Sequence, residues 1–401
     1  MSVRLIMPWP IKKLLTMKEE FVTLARQRTG SFGALCRHYG ISRACGYKWL
    51  RRYERAGLEG LEEHSRRPHH HPHSTGAEME ECIVELRQQN PAWGGRKLRR
   101  RLLDLGHQAV PSASTITEIL RRQGLLLRPL SDPLGPWQRF EHLAPNDLWQ
   151  MDFKAPLQTL RSGLCHPLTV LDDHSRFSLQ LEPCHNQRLT SVKDALQSTF
   201  ERYGLPRAIL CDNGVPWRGA DSACAFSTLG VWLLRAGVEL WHGRPYHPQT
   251  QGKEERFHRT LQAEVLDRCT AWLDHQHCRS QFEAFRTRYN LHRPHEALNL
   301  AVPASRYQPS SRPWPKTFPL PQYLQGDELR LVRQKGEIKF KGKLYYVGQA
   351  FAGLEVALRP TDTDGYFELF FGWKKIGALD LNDPFVAQQY RPPLCSLLNT
   401  D

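Results

Sequence analysis

The chain has 401 residues, a length at which about two to four domains are expected. Its net charge of +14 favours a polyanionic partner, although an ordinary basic enzyme explains the charge about as well. No run approaches the roughly 20 apolar residues of a membrane-spanning helix, which excludes a helical membrane protein. The ten cysteines include no Cys-x-x-Cys pair, which argues against zinc ribbons and thioredoxin-like redox sites.

The first 61 residues are predicted to form a basic helical domain. Apolar residues recur at helical spacing around Phe21 and Cys36, Gly40 interrupts the pattern, and Ser42 is suited to cap a second helix. This order is typical of a helix-turn-helix domain, which we assign to residues 1–61. A small bundle with a solvated basic face is the alternative. The second helix carries side chains that suit a DNA major groove: Arg43, Tyr47, Lys48, Arg51 and Arg52.

Residues 62–76, EEHSRRPHHHPHSTG, form a predicted linker. The stretch is polar, contains Pro68 and Pro72, and shows no apolar periodicity. Its histidines favour a solvated or phosphate-contacting segment over a metal site, so no metal is predicted there.

A second helix-turn-helix domain is predicted over residues 77–135. Leucine and isoleucine residues form an apolar stripe, Ser112 is suited to cap the last helix, and Gly124 ends it. Three-helix units are common, so this assignment is less specific than the first. The candidate DNA-contacting residues of this domain are Arg96, Lys97 and Thr115.

Between residues 140 and 300 the pattern changes to strands that alternate with helices. LWQMDF, HPLTVLDDHSRFSLQLEP, RAILCDN and GVELWHG are strand-like, and TSVKDALQSTFERYG, KEERFHRTLQAEVLDRC and SQFEAFRTRYNLHR are helical. This alternation predicts an α/β domain.

The C-terminal part is predicted to be a linker followed by a β domain. Residues 301–324 are rich in proline, whereas residues 325–390 alternate between apolar and polar positions, with KG, GL and DG turns. The β domain is predicted to be a small barrel. The whole chain is therefore expected to be multidomain, with two helix-turn-helix units, an α/β core and a C-terminal β-barrel.

Several acidic residues of the α/β domain lie where strands or helices present side chains at an edge. Asp152 follows the apolar run LWQM, Asp212 precedes an Asn-Gly turn signal, and Glu254 and Glu255 begin a helix just after Gly252. Carboxylates contributed by separate elements suit hard divalent cations that act on phosphoryl groups. Taken alone, this spacing is weak, because surface acids are common and an Asp-Asn-Gly motif is more often a turn than a ligand.

Longer motifs give this pattern a specific interpretation. LWQMDF, LCDNGVPW and YHPQTQGKEERFHRTL resemble the three blocks of the retroviral-integrase catalytic core. CRHYGISRACGYKWLRRYERAG, PAWGGRKLRRRL, APNDLWQMDF and YNLHRPHEAL resemble bacterial insertion-sequence transposases of the integrase-core type. The resemblance extends from about residue 7 to residue 310 and covers the terminal β domain more weakly.

The resemblance implies an RNase H-like fold whose catalytic and metal-binding triad is Asp152, Asp212 and Glu255. The third acid of the family lies three residues after the glycine, which selects Glu255. A helical wheel instead groups Glu254 with Phe257 on the apolar face, where the family usually has an apolar residue, so Glu254 stays open as the alternative. The interval from Asp212 to Glu255 is longer than usual, and a loop in WRGADSACAFSTLG accounts for the excess.

The implied activity is cleavage of insertion-element ends and transfer of the freed 3′-hydroxyl into target DNA, with two Mg²⁺ or Mn²⁺ ions. Lys253, Arg256, His258 and Arg259 suit phosphate contact, although a solvated basic helix face explains each about equally well. The expected partners are double-stranded DNA, as terminal repeats and target, and further copies of the chain in a dimer or larger oligomer. Without an evident secretion signal, we expect a bacterial, cytoplasmic, nucleoid-associated protein. A catalytically inactive DNA-binding regulator and a nuclease of the same fold are the alternatives.

Overall fold

The computed structural model describes residues 11–28, 30–63, 74–126, 141–214, 217, 226–243 and 252–382. It divides into two units, residues 1–74 and 75–401, which are described separately. Most of the predicted linker at 62–76 and most of the predicted extra loop after Trp217 lie outside the described residues. Within these ranges, no helix is both long enough and apolar enough to cross a bilayer.

The first unit contains α1 (Ile11–Gln27), α2 (Phe32–His38) and α3 (Arg43–Ala56). Ser42 caps α3 as predicted, because its Oγ accepts a hydrogen bond from the backbone N–H of Cys45 at 3.2 Å. The apolar faces of the helices meet in a small core formed by Phe21, Val22, Cys36, Trp49 and Leu61.

The second unit begins with α4 (Ala77–Gln89), α5 (Gly95–Asp104) and α6 (Ala113–Arg122). The Ser112 hydroxyl accepts a hydrogen bond from the backbone N–H of Thr115 at 3.2 Å, which confirms the predicted cap of α6. The three helices enclose a core of their own, made by Ile83, Leu86, Trp93, Leu98, Leu102, Ile116, Ile119 and Leu120.

A mixed β-sheet of six strands follows in the described part of the second unit. The strand order is β4-β3-β1-β5-β6, and the short β2 lies beside the start of β3. β1 pairs antiparallel with β3 and parallel with β5, which is parallel to β6. The strands are β1 (Leu148–Phe153), β2 (Leu157–Gln158), β3 (Leu164–Asp172), β4 (Ser178–Cys184), β5 (Ala208–Cys211) and β6 (Glu239–His242).

Helices cover both faces of this sheet. One face packs against α7 (Leu189–Tyr203) and α8 (Thr228–Arg235), and the other packs against α9 (Gly252–Leu261) and α10 (His275–Leu291). Because the sheet is covered on both sides, its central strands are apolar almost continuously, and the first four residues of β1 are all buried. This arrangement confirms the predicted α/β domain.

The proline-rich segment 301–324 packs on the core. Arg312 donates a hydrogen bond from Nη1 to the carbonyl oxygen of Pro206 at 2.9 Å. The Trp314 ring stacks on Phe200, with ring centroids 5.4 Å apart. The segment therefore belongs to the packed structure of the core, although its composition is that of a linker.

The C-terminal residues form two antiparallel sheets. The strand order of the larger sheet is β12-β11-β10-β7, and β8 and β9 form a hairpin. No sheet closes on itself within residues 325–382, so the structure shows sheets in this region and the barrel stays a prediction. The strands are β7 (Glu328–Leu331), β8 (Glu337–Phe340), β9 (Lys343–Tyr346), β10 (Glu355–Pro360), β11 (Tyr366–Phe371) and β12 (Lys374–Asp380).

Helix α8 contacts the C-terminal sheets as well as the core sheet. Val231 and Leu234 lie in the same buried cluster as Val356 and Leu358 of β10. At the edge of this contact, Lys374 Nζ donates to Glu239 Oε2 at 2.7 Å. The C-terminal domain is thus joined to the core by an apolar interface and a polar bridge.

Candidate active site

Asp152 lies near the end of β1, opposite Thr169 of β3. The preceding residues of the strand are buried, whereas the Asp152 side chain remains 26% exposed. Its Oδ1 accepts a hydrogen bond from the backbone N–H of Phe153 at 2.8 Å. The strand therefore presents this carboxylate at the edge of the sheet, where it can meet a ligand.

Asp212 comes directly after β5, which runs parallel to β1. The two strands pair with Leu148 opposite Ala208 and Gln150 opposite Leu210, so the same register places Asp212 beside Asp152 at one edge. Asp212 is exposed, and its Oδ1 accepts a hydrogen bond from the backbone N–H of Gly214 at 2.8 Å. The structure therefore brings together the two aspartates that the motifs single out.

Helix α9 presents its two adjacent glutamates to different surroundings. Glu254 is 0% exposed, and its Oε2 lies 3.0 Å from Oγ1 of Thr169. Glu255 is exposed. The cause is the helical period, because Glu254 shares the buried face of α9 with Phe257 and Leu261.

Burial and neighbouring carboxylates perturb the acids of this site. The pKa of Asp152 is raised to about 6, first by burial and then by repulsion from Asp212, with a further contribution from Glu255. The pKa of Glu254 is raised well above its ordinary value, mainly by burial and then by Asp152. Asp152 is thus the acid that is electrostatically coupled to both other members of the predicted triad.

These acids are near one another without forming a closed ligand cluster. Among the described residues, no three His, Cys, Asp or Glu side chains are arranged to hold a metal ion. The carboxylates of Asp152, Asp212 and Glu255 come from two strand ends and one helix, so side-chain rotation alone changes their separations.

His258 lies inside this site, and its side chain is only 12% exposed. Its Nε2 is 2.9 Å from Oγ1 of Thr169, and its Nδ1 is 3.8 Å from Oδ2 of Asp152. Burial lowers the pKa of His258 to about 4, and Lys154 contributes further, so the imidazole is neutral at physiological pH. DNA contact by His258 stays a prediction, and in this structure the ring contacts protein groups.

The other basic residues of α9 differ in their surroundings. The Lys253 ammonium pairs with the buried Asp173 carboxylate, and burial lowers the pKa of Lys253 to about 8. Arg256 and Arg259 are exposed. The two arginines are therefore better placed than Lys253 to meet a phosphate group.

The candidate DNA-reading residues of the first unit lie on α3. Arg43, Lys48 and Arg51 are exposed, and Tyr47 is 48% exposed while it stacks on Phe32. Arg52 is half-buried and donates a hydrogen bond to the carbonyl oxygen of Glu62 at 2.6 Å.

Two of the three candidate residues of the second helix-turn-helix domain line a cleft of about 420 Å³, which is formed by α5, α6 and Glu296 of the core. Arg96 and Lys97 line it, and Thr115 is exposed near the α6 cap. The Arg96 side chain is 69% exposed, and burial lowers the pKa of Lys97 to about 8. At Gly95 a Cβ atom would lie 2.3 Å from the carbonyl oxygen of Ala113, so only glycine permits this close approach.

The sequence did not reveal the buried polar residues around these sites. Thr169 sits within an apolar strand, and only strand pairing shows that it faces Asp152 and Glu254. In the sequence Glu264 looks like an ordinary acidic residue of a helix, yet it is only 4% exposed and accepts a hydrogen bond from Trp93. Its position among the apolar residues Leu261, Val265 and Leu266 was the available signal.

Family models match successive parts of the chain. A helix-turn-helix domain matches residues 17–69, and a homeodomain-like domain matches residues 45–120. Integrase core domains match residues 142–248 and 236–303. The C-terminal domain of IS481 family transposases matches residues 327–385.

Curated relatives come from bacterial insertion elements. The chain is 28% identical over 228 residues to the "Insertion element IS407 uncharacterized 31.7 kDa protein" of Burkholderia multivorans, covering 55% of this chain and 78% of the relative. It is 28% identical to the "Insertion element IS476 uncharacterized 39.2 kDa protein" of Xanthomonas euvesicatoria, covering 55% and 62%.

Among solved structures, a chain of the simian T-cell lymphotropic virus intasome in complex with PP2A regulatory subunit B56 gamma aligns at 15% identity, covering 73% of this chain and 97% of that chain. The TM-score of this alignment is 0.36. The family models and the insertion-element relatives confirm what the motifs predict: the chain resembles bacterial insertion-sequence transposases with an integrase-type catalytic core.

Proposed function

We propose that this protein is a DDE transposase, which binds the ends of its insertion element, cleaves the DNA there and joins the freed 3′-hydroxyl to target DNA. The observation that supports this most is the placement of Asp152 beside Asp212, with Glu255 near enough to raise the Asp152 pKa. The sheet order, with three antiparallel strands followed by two parallel ones, supports an RNase H-like core.

The donor set suits a hard divalent cation. Burial raises the pKa of Asp152, and repulsion from Asp212 and Glu255 raises it further. A bound cation would relieve that repulsion. We assign these residues as the ligands of Mg²⁺ or Mn²⁺, in a site for two ions. When bound, such ions make a hydroxyl group more acidic and stabilise the charge that develops on the leaving oxygen.

The remaining residues would bind and orient DNA. Arg256 and Arg259 are exposed on the helix that carries Glu255, where they can donate hydrogen bonds to a phosphate. The two helix-turn-helix domains would hold the element end. No serine or tyrosine nucleophile is needed, so no covalent bond between protein and DNA forms.

The DNA partners would be the terminal repeats of the element and the target duplex. Both ends of an element must be joined in concert and each needs a core, so the working form would be a dimer or a larger oligomer. Such a complex would act on chromosomal DNA in the bacterial cytoplasm.

A joining assay with the full-length protein tests this function. Duplexes selected from a random pool by binding would be offered with a plasmid target, in Mg²⁺ or Mn²⁺ and in parallel with EDTA. We expect 3′-end cleavage and metal-dependent insertion into the plasmid. Binding without any cleavage would support the DNA-binding regulator instead, and cleavage without joining would support the nuclease.

A further inference from the structure

A buried carboxylate lies between the second helix-turn-helix domain and the core. Helix α9 continues into a π-helical turn, Gln262–Leu266, in which Glu264 is buried. Oε1 of Glu264 accepts hydrogen bonds from Nε1 of Trp93 at 3.1 Å and from Nε of Arg293 at 3.0 Å. One oxygen atom therefore links the helix that carries Glu255 to the domain that carries Trp93.

Trp93, on one side of this link, is held firmly within its own domain. Trp93 is 1% exposed and packs in the core of its own domain. Its carbonyl oxygen accepts a hydrogen bond from Nη1 of Arg87 at 2.6 Å, and Nη2 of Arg87 donates to the carbonyl oxygen of Leu125 at 2.9 Å. Because a buried charge that loses a partner is costly, Glu264 resists separation from Trp93 and Arg293.

A second contact lies just beyond the π-helical turn. Nη1 of Arg268 donates a hydrogen bond to the carbonyl oxygen of Gln89, the last residue of α4, at 3.2 Å. Arg96 also pairs with Glu296 of the core, at 3.4 Å between Nη2 and Oε1. Several separate contacts therefore restrict the orientation of the domain on the core. π-helical turns are rare in proteins, and those that occur are often found at functional sites. A functional role for the turn that carries this attachment fits that tendency.

The predicted DNA contacts of the domain begin shortly after Trp93 in the sequence. Gly94, Gly95, Arg96 and Lys97 all line the cleft between α5 and α6. The stretch PAWGGRK therefore carries both the anchor to the core and the predicted DNA contacts. Glu264 follows Glu255 by nine residues, which is about 13 Å along a helix axis.

We propose that Glu264 and Trp93 are positioning residues that hold the second helix-turn-helix domain on α9, so that DNA bound at Arg96 and Lys97 meets the acidic site in a fixed register. This inference rests on the proposed function, because the register matters only if the bound end is cut. In this proposal, the interface between Glu264 and Trp93 helps to determine which phosphodiester bond is cut, although neither residue contacts DNA or metal.

The test compares Glu264→Gln and Trp93→Phe with the wild-type protein in end binding, joining rate and the position of the cut. The first change removes the negative charge, and the second removes only the indole donor and part of the ring. We expect end affinity to stay within about threefold, because the predicted DNA-contacting residues are unchanged. Joining should fall by about tenfold or more, with cuts at neighbouring phosphodiester bonds, because small misplacements are costly.

The position of the cut separates positioning from stability. A variant that is merely less stable would cut the wild-type bond more slowly. Glu201→Gln on α7 is the matched control, since it removes an exposed carboxylate remote from the interface and should change neither rate nor position. Wild-type rate and cut position in both interface variants would overturn the inference.

Two measurements keep the inference testable if other steps fail. If both variants are unfolded, Arg268→Ala removes an exposed side chain and should shift the cut in the same direction. If the wild-type protein cuts no DNA, the proposed function fails by itself. Amide hydrogen exchange at residues 94–97 still tests the interface, since faster exchange in Glu264→Gln supports the attachment and unchanged exchange contradicts it.

Discussion

The hydroxyl group of Thr169 lies 3.0 Å from the carboxyl group of Glu254, at the centre of the acidic site. The same hydroxyl is 2.9 Å from the carbonyl oxygen of Asp152 and 2.9 Å from Nε2 of His258. A hydroxyl has only one hydrogen to donate. Burial raises the pKa of Glu254 strongly, so its protonated carboxyl group can donate a hydrogen bond to the Thr169 hydroxyl. The Thr169 hydroxyl can then donate its own hydrogen to the carbonyl oxygen of Asp152.

This arrangement predicts losses of very different size for changes at the two adjacent glutamates. Glu255→Gln should lower joining by at least about 100-fold, because a proposed metal ligand loses its charge. Glu254→Gln should lower it by less than about tenfold, because a neutral amide keeps the shape of a protonated carboxyl and can donate to Thr169. A joining assay on both proteins, with end binding measured in parallel, decides between them. The reverse ranking would move the third ligand to Glu254.

The raised Asp152 pKa predicts a pH-dependent affinity for metal. Its ordinary value of 3.8 is raised to about 6, so below that pH a proton competes with the cation for the carboxylate. Mg²⁺ affinity measured by calorimetry should fall by up to about tenfold per pH unit below pH 6 and level off above it. Asp152→Asn should abolish metal binding while end binding stays within about threefold. An affinity that is constant from pH 5 to pH 7.5 would contradict the assignment.

The same shift has a consequence for the metal-free protein. The folded-state pKa lies above the unfolded value, so Asp152 stabilises the fold in its protonated form. This contribution is present below about pH 4 and is lost as the pH rises to about 6. Saturating Mg²⁺ should restore stability at pH 7, which thermal unfolding with and without the ion would reveal.

Base reading by α3 is expected to depend on Arg43 and Lys48, which are exposed. Replacing either with alanine should weaken binding to the element end by about 1–3 kcal/mol if that side chain contacts a base edge. Affinity for random duplex should then change much less. Equal losses on both duplexes, with a shallower salt dependence, would indicate phosphate contact instead.

The packing of the proline-rich segment predicts a stability effect. Trp314 stacks on Phe200 and also contacts Trp232 and Phe318, so Trp314→Ala should lower the free energy of unfolding by about 2 kcal/mol. Trp373 is 56% exposed, and Trp373→Ala should change the free energy of unfolding by less than about 0.5 kcal/mol. Denaturant unfolding measures both, and equal effects would show that the segment does not support the core.

Local signals in the sequence predicted the helix caps and the strands, because both depend on residues close together in the chain. Ser42 and Ser112 are examples, since a cap needs only a hydroxyl before a helix. The surroundings of Glu254 depend on Thr169 from another strand, and those of Trp314 depend on Phe200 from another helix. Such long-range contacts leave no local pattern, so composition alone could not show that the 301–324 segment packs on the core.

Helix α8 has the sequence TLGVWLLR, and it is buried from two directions. Leu229 and Leu233 pack under the core sheet, whereas Val231 and Leu234 pack under the C-terminal sheets. An expression fragment that stops at residue 324 would therefore expose an apolar face of this helix, which favours aggregation. Whoever designs a shortened core for crystallisation should either keep the C-terminal domain or replace Val231 and Leu234 with polar residues.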